Sequence, residues 1–278
     1  MDKMDIRVAK KAGFCFGVKR AIDMAFKLAD EEKTGIYTFG PIIHNPQVVE
    51  RLAKAGVIAT ENIDHTKIKV LLIRTHGIPP QLYQNIQTMP YKVVDATCPF
   101  VKKAQQFAQM LTSEGYQVVI LGDRNHPEVK GLVGYASDDA IVINGSEPLP
   151  HLKSKVGIVV QTTKSVDTLK KVVSDITGIV KEVKVYNTIC NSTSHRLKET
   201  AALAEEADLM IVVGGKNSAN TTRLTSLCRD MGVKVFHIET ANEIKDEWLT
   251  NCQCVGITGG ASTPGWIINE VVERLRSM

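Results

Sequence analysis

The feature of this sequence that most constrains its fold is a pattern that occurs three times: a short run rich in β-branched residues, a brief loop, a cysteine and the start of a helical segment. The three copies read IRVAKKAGFC, YKVVDATC and VKVYNTIC, and they end at Cys15, Cys98 and Cys190. Pro99 suits the first position of a helix, because the N–H that it lacks would have no helical partner there. We therefore interpret the chain as three lobes of similar build, each with one cysteine at a helix start.

Twelve short apolar runs are predicted strands. They cover residues 6–9, 36–40, 57–60, 69–74, 92–96, 117–122, 140–144, 155–160, 183–187, 209–215, 233–238 and 254–258. Several are continuously apolar, which is typical of strands that are buried on both faces of a parallel sheet. Because helical patterns lie between them, the sequence predicts an α/β fold in which each lobe is a small, mostly parallel sheet flanked by helices.

The repeat also predicts the lobe boundaries. Lobe 1 covers residues 15–97, lobe 2 covers residues 98–189 and lobe 3 covers residues 190–278. Residues 1–14 contain a predicted strand with no partner upstream in lobe 1. We expect this strand to complete the sheet of lobe 3.

Polar residues follow the cysteines in loops that leave the carboxyl ends of predicted strands. One such residue comes 28 or 29 positions after each cysteine, and a second loop follows later in each lobe. The first set is His44, His126 and Ser218, and the second set is His76, Thr162 and Ser262. Ligands of open α/β sheets bind outside the carboxyl ends of the strands. Three lobes that face one another would gather three cysteines and six polar loops at one centre.

The spacing of the cysteines limits the metal sites that the chain can form. No CxxC pair occurs, which excludes ribbon-type zinc sites and bacterial ferredoxin-type runs. Three thiolates at helix starts suit either an iron–sulfur cluster with one open iron or a zinc ion with three cysteines and a water. The glycines around Cys15 favour the bulkier cluster. Cys228, Cys252 and Cys254 lie outside the repeat, and we place them outside the site.

Glu128, two residues after His126, is the carboxylate nearest to the inferred centre, and Asp123 is a weaker competitor. Partial burial would raise the pKa of Glu128 and make it a proton donor.

The loops NSAN and GGAS offer hydroxyl, amide and backbone N–H groups to a phosphate, although neither is a P-loop or a dinucleotide fingerprint. The remaining histidines are expected to be capping or surface residues: His65, His151, His195 and His237.

Composition excludes several classes of protein. A net charge of +4, spread along the chain, is no footprint of nucleic-acid binding. No apolar run reaches the length of a membrane-spanning helix, and no secretory signal is recognisable. A cytoplasmic location is the expectation.

A set of motifs resembles one enzyme family along essentially the whole chain. In order, they are GFCFGVKRAI, GPIIHNPQVVERL, RTHGIPP, DATCPFVKKA, NHPEV, QTT, TIC, GGKNSANTTRL and GASTP. The ordered set is similar to 4-hydroxy-3-methylbut-2-enyl diphosphate reductase, the last enzyme of the non-mevalonate isoprenoid pathway. The resemblance implies a trefoil of three α/β lobes around a [4Fe–4S] cluster, bound by Cys15, Cys98 and Cys190. One iron would have no protein ligand, so that a [3Fe–4S] form is an expected product of isolation.

The resemblance also implies a role for each polar loop. The substrate would be bound by His44, His76, His126, Thr162, Ser218, Ala219, Asn220 and Ser262. His126 and Glu128 would deliver protons, and Thr162 would lie near the departing oxygen. Where the family usually reads Asn-Ser-Ser-Asn, this chain has Ala219, which keeps its backbone N–H and loses one hydroxyl.

The implied reaction removes the 4-hydroxyl of an allylic diphosphate with two electrons and two protons. Its products are isopentenyl diphosphate and dimethylallyl diphosphate, and a ferredoxin or flavodoxin would supply the electrons. No nucleic acid or membrane takes part. Two other functions stay open on the residues alone: a hydro-lyase that uses the open iron only as a Lewis acid, and a zinc-stabilised, anion-binding module without catalytic activity.

Overall fold

The computed structural model describes residues 4–63 and 67–278, so His65 lies outside the described residues. Within them, a strand is found at each of the twelve predicted positions. The strands are β1 (Asp5–Val8), β2 (Ile36–Phe39), β3 (Val57–Thr60), β4 (Val70–Ile73), β5 (Lys92–Asp95), β6 (Gln117–Leu121), β7 (Ile141–Ile143), β8 (Lys155–Val160), β9 (Glu182–Tyr186), β10 (Leu209–Val213), β11 (Lys234–Ile238) and β12 (Cys254–Gly259). The α/β prediction is confirmed.

Helices connect the strands. They are α1 (Phe16–Glu32), α2 (Pro46–Lys54), α3 (Pro80–Gln87), α4 (Pro99–Ser113), α5 (Pro127–Gly134), α6 (Val166–Thr177), α7 (Asn191–Glu206), α8 (Ala219–Asp230) and α9 (Gly265–Arg276). Two short 3₁₀ helices cover Ala241–Glu243 and Asp246–Leu249. None of the helices in the described ranges is long and apolar enough to cross a membrane.

The strands form three parallel four-stranded sheets with the same internal order. The first is β3-β2-β4-β5, the second is β7-β6-β8-β9, and the third, read in the same direction, is β11-β10-β12-β1. β1 is thus the counterpart of β5 and β9, and it pairs with β12, with Asp5 opposite Cys254. The strand near the start of the chain therefore completes the third sheet. Each cysteine of the repeat follows the fourth strand of a sheet.

Burial explains why these segments form strands and helices. The four residues of β4 are all buried, as are the five of β6 and of β10, because helices cover both faces of these central strands. Helix α4 begins at Pro99 and buries a stripe that includes Val101, Ala104 and Leu111. Each fully buried Leu, Ile or Val side chain contributes about 1.5–3 kcal/mol by leaving water.

The chain divides into two compact units. Unit 1 is Met1–Lys19, Ile43–Arg51 and Asn191–Met278, and it contains the third sheet. Unit 2 is Arg20–Ile42 and Leu52–Cys190, and it contains the first and second sheets. The three lobe boundaries and the trefoil arrangement stay predictions.

Candidate active site

The three cysteines of the repeat have the same local environment. Each directly precedes a helix and is half-buried. Each backbone N–H also donates a hydrogen bond to the carbonyl oxygen two residues beyond the end of the neighbouring strand. The pairs are Cys15 with Ala261 at 3.2 Å, Cys98 with Thr75 at 3.0 Å and Cys190 with Thr162 at 3.0 Å. The sequence repeat is therefore a repeat of backbone geometry.

This position suits a thiolate that binds metal. The first N–H groups of a helix have no helical partner, and the positive end of the helix dipole stabilises a nearby negative charge. The chain's other thiols differ. Burial raises the pKa of Cys228 to about 11, and it also raises the pKa of Cys252 and of Cys254. Cys228 lies in the apolar core beside Leu224.

Each of the three thiols thus suits a soft metal such as iron or zinc. A [4Fe–4S] cluster on three thiolates would leave one iron without a protein ligand, and the family resemblance implies this arrangement. The convergence of the three sulfur atoms stays a prediction.

In unit 2, a buried carboxyl group lies at the start of helix α5. Glu128 is only 2% exposed. Its Oε1 accepts a hydrogen bond from the backbone N–H of Thr162 at 2.7 Å, and its Oε2 accepts one from Thr162 Oγ1 at 2.8 Å. Burial raises the pKa of Glu128 to about 7, although both hydrogen bonds from Thr162 favour the charged form. A carboxyl group of this kind can both give and take a proton near neutral pH.

His126 caps the same helix. Its Nδ1 accepts a hydrogen bond from the backbone N–H of Glu128 at 3.2 Å, so the neutral ring carries its proton on Nε2. The ring meets the ring of His76 edge-to-face, with the two centroids 5.3 Å apart. Asp123, by contrast, is an exposed acid that pairs with Lys164 at 2.6 Å. Unit 2 thus brings His76, His126, Glu128 and Thr162 together.

One correspondence in the repeat is shifted by one residue. The sequence repeat predicts that His76, Thr162 and Ser262 occupy equivalent positions. Thr162 lies two residues after β8, whereas His76 and Ser262 lie three residues after β4 and β12. The reason is that loop length cannot be read from the apolar pattern alone.

In unit 1, hydroxyl and amide groups surround the start of helix α8. Ser218 caps the helix, and its Oγ accepts a hydrogen bond from the Thr221 N–H at 3.4 Å. The Ser262 hydroxyl lies 3.4 Å from both Ser218 Oγ and the carbonyl oxygen of His44, and it can donate to either. Ala219 is the first residue of the helix, so its backbone N–H has no helical partner.

Asn220 gives this region an unsatisfied donor. The residue is 7% exposed, and its Nδ2 has no hydrogen-bond partner among residues 4–63 and 67–278. A buried amide N–H without a partner is costly, and an anion would satisfy it. A helix N-terminus with free N–H groups favours the same class of ligand. Gly215 allows the backbone of His44 to approach, because a Cβ at this position would collide with the His44 carbonyl oxygen.

Known proteins match the chain over nearly its whole length. The family model described as LytB protein matches residues 6–276. A relative from Syntrophotalea carbinolica, named 4-hydroxy-3-methylbut-2-enyl diphosphate reductase, is 47% identical over 279 residues and covers 99% of both chains. A relative of the same name from Aquifex aeolicus is 45% identical, over 99% of this chain and 97% of its own.

Two solved structures are similar as well. One, of (E)-4-hydroxy-3-methyl-but-2-enyl diphosphate reductase, is described as that of the terminal enzyme of the non-mevalonate pathway. It is 45% identical, with a TM-score of 0.73 over 99% of this chain and 100% of that one. The other, a diphosphate reductase from Plasmodium falciparum, is 27% identical, with a TM-score of 0.90 over 98% of this chain and 87% of that one.

Proposed function

The chain belongs to the LytB protein family, and from this premise we propose that it is an iron–sulfur oxidoreductase acting on (E)-4-hydroxy-3-methylbut-2-enyl diphosphate. The C–O bond at carbon 4 breaks, and its oxygen leaves as water with one proton. Two electrons and the second proton form a new C–H bond at either end of the allylic system. The products are isopentenyl diphosphate and dimethylallyl diphosphate.

One observation carries this proposal: three cysteines recur at helix starts with the same backbone hydrogen bond. Ordinary folding gives no reason to place a thiol at this point three times. Cys15, Cys98 and Cys190 would hold a [4Fe–4S] cluster as thiolates. When bound, such a cluster supplies electrons and an open iron that acts as a Lewis acid.

The polar residues of unit 1 would hold the diphosphate. Ser218, Ser262 and Asn220 offer hydroxyl and amide donors, and Ala219 offers a backbone N–H at the start of α8. His44 and His76 would add positive charge or N–H donors. Binding energy from a diphosphate that does not react positions the carbon end of the substrate, which is where catalysis needs it.

Glu128 would supply the proton. Its pKa of about 7 keeps the carboxyl group partly protonated at neutral pH, and Thr162 fixes both of its oxygens. After the proton is given up, the two Thr162 hydrogen bonds stabilise the carboxylate that remains. His126, whose Nδ1 accepts from the Glu128 N–H, would carry its proton on Nε2 and would donate it to the substrate. A ferredoxin or flavodoxin would bring the electrons, and a cytoplasmic location stays a prediction.

The first test is the metal content of protein purified without oxygen. We expect about four iron and four sulfide per chain, a brown colour and turnover that needs a reductant. Cys15→Ser should lose most of the iron, whereas Cys228→Ser should keep it and serves as the matched control. Stoichiometric zinc without iron, even after reconstitution, would favour the anion-binding module. Turnover without a reductant would favour the hydro-lyase.

A further inference from the structure

The backbone just ahead of Cys15 is held by a buried arginine. Residues 10–13 form no part of a sheet, so side chains can bind several of their backbone polar groups. Arg196, on helix α7, is only 2% exposed. Its Nη2 donates to the Gly13 carbonyl oxygen at 2.9 Å, and its Nη1 donates to the Gly259 carbonyl oxygen at 2.7 Å and to that of Lys11.

A carboxylate one turn further along α7 completes this arrangement. The two oxygens of Glu199 accept hydrogen bonds from the backbone N–H groups of Lys10, at 2.8 Å, and Lys11, at 2.7 Å. Arg196 and Glu199 therefore hold the carbonyl and N–H groups of the same segment. Gly13 adopts a φ of +108°, a conformation that residues with a Cβ rarely adopt, so a glycine is needed for the turn that leads into Cys15.

A buried guanidinium has a consequence beyond geometry. Arginine stays protonated in proteins, and removing its charge from water is costly. Carbonyl oxygens offset this cost only in part, whereas a negatively charged group nearby offsets more. The carboxylate of Glu199, which binds the same segment, is one negatively charged group there. An iron–sulfur cluster on three thiolates would be another, since the Arg196 guanidinium is bound to Gly13, two residues before Cys15.

We propose that Arg196 is a positioning residue for the metal centre: it fixes the backbone that presents Cys15 and sets a permanent positive charge behind this ligand. The second part rests on the proposed function, because it needs a cluster at Cys15. The first part concerns the chain itself. It predicts that residues 9–15 open more easily when the Arg196 guanidinium is removed, whether or not metal is bound.

A weaker version of the same contact occurs ahead of Cys98. Arg20 donates from Nη1 to the Thr97 carbonyl oxygen at 3.3 Å and from Nη2 to the Asp95 carbonyl oxygen at 3.4 Å. These hydrogen bonds are longer than those of Arg196, and Arg20 is only half-buried. An arginine that binds the carbonyl groups before a cysteine is thus repeated, and its effect should be larger at Cys15.

Hydrogen exchange of the metal-free protein tests the positioning role. Peptides that cover residues 9–15 report on the amides of Lys10, Lys11 and Cys15. Loss of one charge-assisted hydrogen bond corresponds to about a tenfold faster exchange, so Arg196→Gln should accelerate this segment about tenfold or more. Arg196→Lys keeps the positive charge but loses the planar guanidinium with its several donors. Its exchange rate over residues 9–15 should lie between those of wild type and Arg196→Gln. Arg229→Gln, at an exposed position on α8, is the control and should exchange like wild type.

The reduction potential of the loaded protein tests the electrostatic role. A positive charge favours the reduced, more negative cluster, so Arg196→Gln should lower the potential, whereas Arg196→Lys should stay close to wild type. Both variants should lose iron to a chelator faster than Arg229→Gln. Equal exchange over residues 9–15 in wild type and in both Arg196 variants overturns the positioning role. Equal potentials in wild type and Arg196→Gln overturn the electrostatic one.

The exchange experiment also separates this proposal from the proposed function. A wild-type protein that binds no iron would refute the iron–sulfur activity. The exchange rates of the Arg196 variants would still decide whether the arginine holds the Cys15 segment. If Arg196→Gln fails to fold, Arg196→Lys gives the same comparison with a smaller change.

Discussion

Replacing Glu128 by glutamine should remove one defined pH dependence from the stability of the chain. Burial raises the pKa of Glu128 to about 7 from its ordinary value of 4.5. Between these pH values, the folded chain holds a proton that the unfolded chain has released. The stability linked to this proton is fully present below about pH 4.5 and is lost as the pH rises through about 7.

The magnitude follows from the two pKa values. The difference between them corresponds to about 3 kcal/mol over the whole pH range, because one pKa unit is worth about 1.4 kcal/mol. Between pH 5 and pH 8 the change is about 2–3 kcal/mol, since titration is incomplete at both limits. The Thr162 hydrogen bonds are already included in this shift, as they lower the pKa that burial raises.

Urea unfolding of the metal-free protein, followed by circular dichroism at pH 5, 6, 7 and 8, measures this effect. The quantity to compare is the free energy of unfolding of Glu128→Gln minus that of wild type. Groups common to both proteins cancel, as does any packing cost of the amide that does not depend on pH. We expect the difference to increase by about 2–3 kcal/mol from pH 5 to pH 8. A difference that stays constant over this range refutes the assignment of a raised pKa to Glu128.

Three further substitutions test single contacts. Thr162→Val removes the hydroxyl that donates to Glu128, so the pKa of Glu128 should rise further and urea unfolding should show a loss of about 1–2 kcal/mol at pH 8. Gly260→Ala would drive a Cβ into Thr221 Oγ1, and the free energy of unfolding should fall by about 1–3 kcal/mol. Asn220→Ala removes a buried amide donor and should weaken inorganic diphosphate binding, measured by calorimetry, about tenfold.

Matched controls accompany these substitutions. Thr163→Val changes the neighbouring hydroxyl, which accepts from Gln161 instead of donating to the buried acid. Gly265→Ala places a Cβ in open space at the start of α9, and it should change stability by less than about 0.5 kcal/mol. Asn242→Ala removes an exposed amide. A variant that behaves like its control would contradict the contact assigned to it.

The strands could be predicted from the sequence because burial on two faces leaves a clear pattern. β4 reads VLLI and is entirely buried, and a continuous apolar run this short is typical of a strand in a parallel sheet and is shorter than most helices. β1 is different, since most of it is exposed at the edge of its sheet. Its place in the third sheet followed from counting strands in the repeat and not from its composition.

The side-chain contacts of the site could not be predicted in the same way. Glu128 and Thr162 are 34 residues apart, and only folding shows that both oxygens of the acid bind this one threonine. Arg196 was missed altogether. It lies in an amphipathic helix that is rich in charged residues, and its carbonyl partner Gly13 lies 183 residues away in the sequence. Sequence periodicity predicts which face of a helix is apolar, but it does not indicate which charged residue is buried.

Cys98 occupies a position where another residue would stabilise its helix better. Cys98 is the N-cap of α4 and its side chain makes no capping hydrogen bond, whereas Ser165 caps α6 by accepting from the Thr168 N–H at 3.1 Å. A capping serine contributes about 1 kcal/mol relative to a residue that cannot cap. Cys98→Ser should therefore raise the stability of the metal-free chain by up to about 1 kcal/mol, and Ser165→Cys should lower it by a similar amount.

The same pair of variants distinguishes a metal ligand from a structural thiol. If Cys98 serves the metal centre, Cys98→Ser should lose iron while the metal-free chain becomes no less stable in urea. Ser165→Cys should keep iron and lose stability. If Cys98 were a packing residue, the serine would leave a poorly filled, more polar site, and the metal-free chain would unfold at lower urea concentration. If Cys98→Ser makes the metal-free chain more stable and abolishes iron binding, Cys98 serves the chemistry of the metal centre and not the stability of the fold.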